Sequence, residues 1–225
     1  MDLLDNKLFH MFWEYRMYFL KGLEYTLLLA VIGVVGGFIL GIIIALLRMS
    51  RISVLRLIGT TWVEILRGTP MIVQLLILHY GFATAFNIKF TPIESGSITL
   101  IINSSAYLAE IFRAGIQGVD KGQTEASRSL GMTSAMNMRY IVLPQALKNV
   151  LPAIGNEFIT VIKESSIVYI IGVPEMMYQA GTVISITYDG MTPYLVAAIF
   201  YFVLTFILSK FLGSFERKLN TRDKR

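Results

Sequence analysis

Residues 125–144 read EASRSLGMTSAMNMRYIVLP, and the rest of the chain is arranged around this stretch. It is short and polar, and it lies between two strongly apolar segments. As a pattern it is Glu125-Ala126-Ser127, three residues, Gly131, nine residues, then Ile141-x-Leu143-Pro144. Glycine is unfavourable inside a helix and common just past a helix end. Gly122 and Gly131 therefore predict two short helices rather than one long one. The first is small on one side, with Ala126 and Ser129; the second carries Met132, Met136, Met138 and Tyr140. Methionine adapts its shape and recurs on surfaces that must repack. Two readings follow: an apolar knob that docks into a groove of another protein, or an amphipathic helix lying on a membrane surface.

The flanking segments decide the class. The chain has 225 residues, of which 55% are apolar, against about 45–50% in soluble domains, and its mean hydropathy is +0.62. Apolar runs of about 18 residues or more read as spanning helices. Five are predicted, at Tyr25–Leu47, Leu57–Phe86, Ser97–Ile116, Leu147–Val173 and Pro193–Leu212. Residues 1–24 mix charge with aromatic residues and read as an interfacial segment. Residues 117–144 read as a loop, and residues 174–192 as a connection with a turn at Asp189-Gly190. Gly33, Gly37 and Gly41 form a small-xxx-small series on one face of the first span, which lets helix backbones approach closely. Positive charge follows topology: Arg48, Arg51, Arg56, Arg113, Lys121, Arg128, Arg139, Lys148 and the basic tail from Lys210 to Arg225 fall on one side. Only Lys7, Arg16, Lys21 and Lys89 fall on the other. The Glu125 loop and the C-terminus are then cytoplasmic and the N-terminus is outside. The net charge of +5 thus reflects topology and does not argue for nucleic-acid binding. No cysteine is present, which excludes disulfides and thiolate metal sites. Asp2, Asp5, Glu14 and Glu24 argue against a cleavable signal.

Ionisable groups at membrane depth are costly and mark pathways or partners. Arg67, Lys163, Glu64, Glu110, Glu157 and Glu164 are predicted to lie in spans. Glu64 with Arg67, and Glu110 with Arg113, stand three apart and can pair on one helix face. Pro70, in Arg67-Gly68-Thr69-Pro70, opens or kinks the second span. Such a break is tolerated where it is buried or lines a cavity, and its freed amides, with Arg67 and Thr69, suit a carboxylate. A purely structural kink is the alternative. Glu157, Thr160 and Glu164 share a face of the fourth span, and the third adds Asn103, Ser104, Tyr107 and Glu110. Convergence of these groups suits a zwitterion, including one with a cationic side chain. There is no G-x-x-x-x-G-K-[ST] phosphate loop, H-E-x-x-H or G-x-S-x-G, so neither nucleotide binding by that loop nor metal or serine chemistry is supported. His79 reads as a packing residue.

The 125–144 pattern resembles the E-A-A-x3-G-x9-I-x-L-P signature of the membrane subunits of ATP-binding-cassette (ABC) importers, with Ser127 in place of the second Ala. The resemblance extends through Glu64-x-x-Arg67-Gly68-Thr69-Pro70-x-x-x-Gln74 and Ala106-Tyr107-x-x-Glu110-x-x-Arg113-x-Gly115-Ile116. It continues in Gly122-Gln123-x-Glu125-Ala126, Asn156-Glu157-Phe158-Ile159 and Lys163-Glu164-Ser165-Ser166. Together these are similar to the polar-amino-acid permeases of the histidine/arginine/glutamine uptake group, whose members more often read Lys-Asp-Thr-Ser at the last motif.

The resemblance implies an all-α membrane protein of one permease domain, 1–225, with five transmembrane helices and the type I importer fold, in the cytoplasmic membrane of a bacterium or archaeon. It implies a second permease subunit, a separate ATPase carrying ATP and Mg, and an extracytoplasmic amino-acid-binding protein. Substrate-binding candidates are Arg67, Gly68, Thr69, Gln74, Asn103, Ser104, Tyr107, Glu110, Glu157, Thr160 and Glu164. Coupling candidates are Glu125, Ala126, Ser127, Leu130, Gly131, Met132 and Met136. An ion-gradient-driven carrier is the alternative, and it leaves the docking loop unexplained. A membrane enzyme would need a nucleophile or metal constellation that the chain does not contain.

Overall fold

The computed structural model describes the backbone of residues 2–221 and the side chains of residues 7–218; the end of the basic tail, at Lys224 and Arg225, lies outside them. All regular structure among the described residues is helical. The helices are α1 (Asp2–Arg48), α2 (Ser53–Gly68), α3 (Met71–Phe86), α4 (Pro92–Gln117), α5 (Lys121–Ser129), α6 (Ser134–Ile171), α7 (Met176–Thr187) and α8 (Thr192–Thr221).

The first helix is longer than the expected span. It bends at Tyr15, where φ is −103° and ψ 17°. Its N-terminal half packs on protein: Met11 and Phe19 are buried against Met176, Ala180 and Val183 of α7 and Val196 and Ala197 of α8. Met11, Tyr15, Phe19, Gly22 and Thr26 recur at helical spacing on the inner face, while Glu14, Arg16, Lys21 and Glu24 are exposed. These charges share the exposed side of the helix with Phe9, Trp13, Met17 and Leu20, while the opposite face packs on protein.

The C-terminal half of α1 lies along α4. A Cβ on Gly33, Gly37 or Gly41 would stand 3.0, 2.9 and 3.0 Å from the Cβ atoms of Leu100, Ser104 and Leu108. The glycine series therefore sits where two backbones meet. Leu29, Val34, Leu75, Leu100, Val161 and Ile162 form the largest core, where α1, α3, α4 and α6 converge. Ile44, Ala45, Val63, Leu66, Ala106 and Ala109 join α1, α2 and α4.

By length and composition, Lys7–Arg48 and Thr192–Lys218 can each cross a bilayer alone. Ser53–Gly68 with Met71–Phe86, bent by 106°, and Ser134–Ile171 with Met176–Thr187, bent by 49°, qualify only as pairs. The expected third span, α4, does not qualify. It buries Ser95, Thr99, Asn103, Ser104 and Ser105, and a helix sheathed by other helices has no need of an apolar surface all round.

Two expectations change. Residues 174–192 are largely α7, whose buried Met176, Gln179, Ala180 and Val183 repeat with helical period. Gly122 does not separate helices; it lies in the first turn of α5, which Asp120 caps by accepting from the Gly122 N–H at 2.6 Å. Pro144 has no N–H for the carbonyl four residues back, and the helix relaxes into a π-type turn over Met138–Val142.

Candidate functional site

The break between α2 and α3 is held from within. Thr69 is extended, with φ −119° and ψ 144°, as a residue before proline prefers. The Gln74 Nε2 donates to the Leu66 carbonyl at 2.8 Å and approaches the Thr69 carbonyl and hydroxyl at 3.2 and 3.0 Å. Carbonyls freed by the end of α2 thus find their donor in one side chain. The Gln74 Oε1 then accepts from Asn103 Nδ2 at 3.1 Å, tying the break to α4. Beside it, a cleft of about 280 Å³ runs past Leu66, Thr69, Gln74, Thr99 and Ile102. Arg67 makes no ion pair with Glu64; its guanidinium lies 5.3 Å from the centroid of the Tyr107 ring. Arg67, Gly68 and Thr69 are exposed on this chain.

Next to Asn103 on α4, the Ser104 hydroxyl donates to Glu157 Oε1 at 3.0 Å. Glu157 is buried at 8% exposure, and among the described residues no lysine or arginine pairs with it. Thr160 and Glu164 follow on the same face of α6, each half-buried. Gln74, Asn103, Ser104 and Glu157 are therefore joined, two by two, through α4. Glu157 thus has one hydroxyl donor and, among the described residues, no ion pair, with the Arg67 charge acting on it from farther off.

Glu110 stands apart from this group. It is six residues past Ser104, about 9 Å along the helix, and it pairs with both Arg48 and Arg113. Arg113 also donates to Gln117. Arg48 closes α1, so this cluster ties the ends of α1 and α4. Sequence reasoning paired Glu110 with Arg113 but missed Arg48, 62 residues away; no local signal links them.

The 125–144 stretch forms a compact pair of helices. Gly131 has φ +81°. Its N–H donates to the Arg128 carbonyl at 3.0 Å, and the Met132 N–H to the Ser127 carbonyl at 3.1 Å; this bond pair is the Schellman helix ending. Ser127 is buried, its hydroxyl 2.9 Å from the Thr124 carbonyl and 2.8 Å from Asn137 Oδ1. Asn137 Nδ2 donates to the Thr124 hydroxyl at 3.3 Å. Asn137 is thus the residue that locks α5 to the first turn of α6, and its polarity in a methionine-rich segment was the available clue. Thr133 caps α6, accepting from the Met136 N–H at 3.2 Å. Outward from this frame stand Leu130, 84% exposed, Met136 and Tyr140, with Glu125 and Ala126 beside them. Met132 is half-buried. The geometry is an apolar knob on a rigid, polar-pinned support.

Known proteins resemble this chain over most of its length. Residues 37–221 match the family model described as binding-protein-dependent transport system inner membrane component. The arginine transport system permease protein ArtQ of Bacillus subtilis is 39% identical over 209 residues, covering 92% of this chain and 94% of that protein. A probable glutamine ABC transporter permease protein, GlnM, of the same organism is 38% identical over 209 residues, covering 93% and 96%. Among solved structures, a crystal structure of an amino acid ABC transporter with histidines superposes with a TM-score of 0.89 at 48% identity, covering 91% of this chain and 95% of that one.

Proposed function

The chain belongs to the family of binding-protein-dependent transport system inner membrane components, and from that premise we propose that it is the membrane subunit of an ATP-driven importer of a polar or basic amino acid. The relatives it resembles over nine-tenths of its length are arginine and glutamine permeases. The family is one of transport subunits rather than enzymes, so ATP and Mg belong to a separate ATPase chain. An ion-driven carrier acting alone would leave the family membership and the 125–144 knob without a role.

In this reading the chain crosses the cytoplasmic membrane of a bacterium or archaeon five times, through α1, the broken α2–α3, α4, α6 with α7, and α8. The N-terminus is outside and the C-terminus inside. It pairs with a second permease subunit, identical or similar, and receives its substrate from an extracytoplasmic binding protein. Leu130, Met136 and their neighbours Glu125, Ala126, Ser127, Gly131 and Met132 dock on the ATPase. Closure of the ATPases moves that knob and switches the cavity from one side of the membrane to the other.

The observation that carries the substrate assignment is Glu157, buried with Ser104 as donor and, among the described residues, without an ion pair. A substrate ammonium or guanidinium supplies the missing charge. Arg67, Gly68 and Thr69, exposed at the break, suit the substrate carboxylate; Thr160 and Glu164 extend the acidic face, and Tyr107 lies beside Arg67. Gln74 and Asn103 shape the pocket wall. Glu110, already matched by two arginines, contributes through structure.

The test is ATP hydrolysis in proteoliposomes containing this chain, its ATPase and binding protein, with a panel of amino acids. Stimulation by polar or basic amino acids is expected. Glu157→Gln is expected to raise the half-stimulating concentration of arginine or histidine more than that of glutamine. Hydrolysis that never depends on this chain would sink the reading.

A further inference from the structure

Helix α7 ends at Thr187, and the chain turns into α8 through residues 188–191. Tyr188 caps α7 with φ 57° and ψ 18°, a left-handed conformation that suits glycine or asparagine and is uncommon for a bulky residue. Gly190, two residues on, is not used for this purpose. Tyr188 is also 93% exposed, more than any other large hydrophobic side chain described.

The loop beneath it is tightly determined. The Tyr188 N–H donates to the Ile184 carbonyl at 2.8 Å. Asp189 Oδ1 accepts from the Met191 and Thr192 N–H groups, each at 3.1 Å. Asp189 Oδ2 accepts from the Thr192 hydroxyl at 2.6 Å and pairs with Lys7 Nζ at 2.8 Å. A strained, wholly exposed aromatic residue is thus held on a fixed base, and the surrounding bonds offset its conformational cost.

The position of the loop follows from the same ion pairs. Lys7, near the start of α1, lies at this loop. Arg48, at the end of α1, lies at the opposite end of the bundle with Glu110, whose helix leads into α5. The helix from Lys7 to Arg48 spans about 60 Å before the bend is considered. Tyr188 and the 125–144 knob therefore occupy opposite ends of the molecule.

We propose that Tyr188 is an anchor on which the extracytoplasmic amino-acid-binding protein docks from outside. The inference rests on the transport reading: a binding-protein-dependent permease must meet that protein on the end facing away from its ATPase. The occupant it fits is a folded protein presenting an apolar recess with a hydrogen-bond acceptor for the phenol. Exposed aromatic anchors on rigid supports carry a large share of binding energy, because little order is lost on docking. A tyrosine that merely settles among lipid headgroups needs neither a fixed backbone nor a left-handed one.

The experiment uses the complete complex in proteoliposomes. The probe is the binding protein that stimulates wild-type hydrolysis, saturated with its amino acid and titrated against wild type, Tyr188→Gly and Tyr188→Ala. The half-stimulating concentration is expected to rise about tenfold or more in both variants, with basal hydrolysis unchanged. Tyr188→Gly removes the backbone strain, so its thermal midpoint is expected to equal or exceed that of wild type. Weaker docking in a chain at least as stable separates an anchor from a structural residue. Unshifted titrations would overturn the docking site. So would a lowered thermal midpoint in liposomes without any shift in titration, the behaviour of a membrane-interface tyrosine. If no binding protein stimulates the wild-type complex, the transport reading falls, and this site with it.

Discussion

Gly131 offers a clean test of how backbone geometry supports the exposed knob. Its φ is +81°, and a Cβ built on it meets nothing within 4 Å. Substitution therefore acts through the backbone alone. An L-residue held in this region costs about 1–2 kcal/mol, and each 1.4 kcal/mol is about tenfold in an equilibrium constant. Gly131→Ala should thus weaken the closed helix pair, and with it the docking on an ATPase proposed for it, by about five- to thirtyfold. Asparagine tolerates the left-handed region best among side-chain-bearing residues, and valine tolerates it worst. The expected order of ATPase affinity is Gly, Asn, Ala, Val. The assay is a binding titration of the purified ATPase against each variant in detergent, with coupled hydrolysis measured in parallel. Equal affinity for Asn and Val variants would refute the reasoning, because the strain argument cannot produce it. Undiminished affinity in the valine variant would show that the Schellman ending does not position Leu130 and Met136 for their partner.

Three further perturbations follow from packing and charge. Gly37→Val places a branched side chain against Ser104, whose Cβ is already 2.9 Å from where the new Cβ would stand. Such overpacking costs about 1–3 kcal/mol, to be read as a lower thermal midpoint in detergent. Asn137→Ala should loosen α5 from α6 by about 1 kcal/mol, and a double-mutant cycle with Ser127→Ala should be non-additive, since each partners the other; additive losses would mean the two do not act together. The Lys7 ammonium and the Thr192 hydroxyl and N–H beside Asp189 hold its carboxyl well below the usual carboxylate range. A depressed folded-state pKa stabilises the fold above the unfolded value, about 3.9, and that contribution is lost as pH falls below it. Wild type should therefore lose more of its thermal midpoint than Asp189→Asn does when pH is lowered from about 6 to about 3.

Much of the arrangement is local and therefore legible along the chain. The Gly131 turn, the Pro70 break and the small-residue face of α1 each depend on a residue type whose backbone or volume constraint acts within a few positions. The same locality hid the buried face of residues 7–24, where Met11 and Phe19 pack inward. It misled again at 174–192, where a turn signal at Asp189-Gly190 drew attention from the helical repeat Met176, Gln179, Ala180, Val183.

By itself the sequence determined the helical membrane class, the polar loop with its exposed methionines, and the family, because apolar run length and spaced small, acidic and proline residues are one-dimensional properties. Tertiary structure alone decided which charges are matched. Glu110 pairs with Arg48 across 62 positions, and Glu157 takes its hydrogen bond from Ser104 across 53, with no ion pair among the described residues. Two carboxylates that look alike in sequence thus differ in what they can still bind. Coulomb and hydrogen-bond interactions act across a few ångströms of space, and that proximity is set by how α1 and α6 pack against α4.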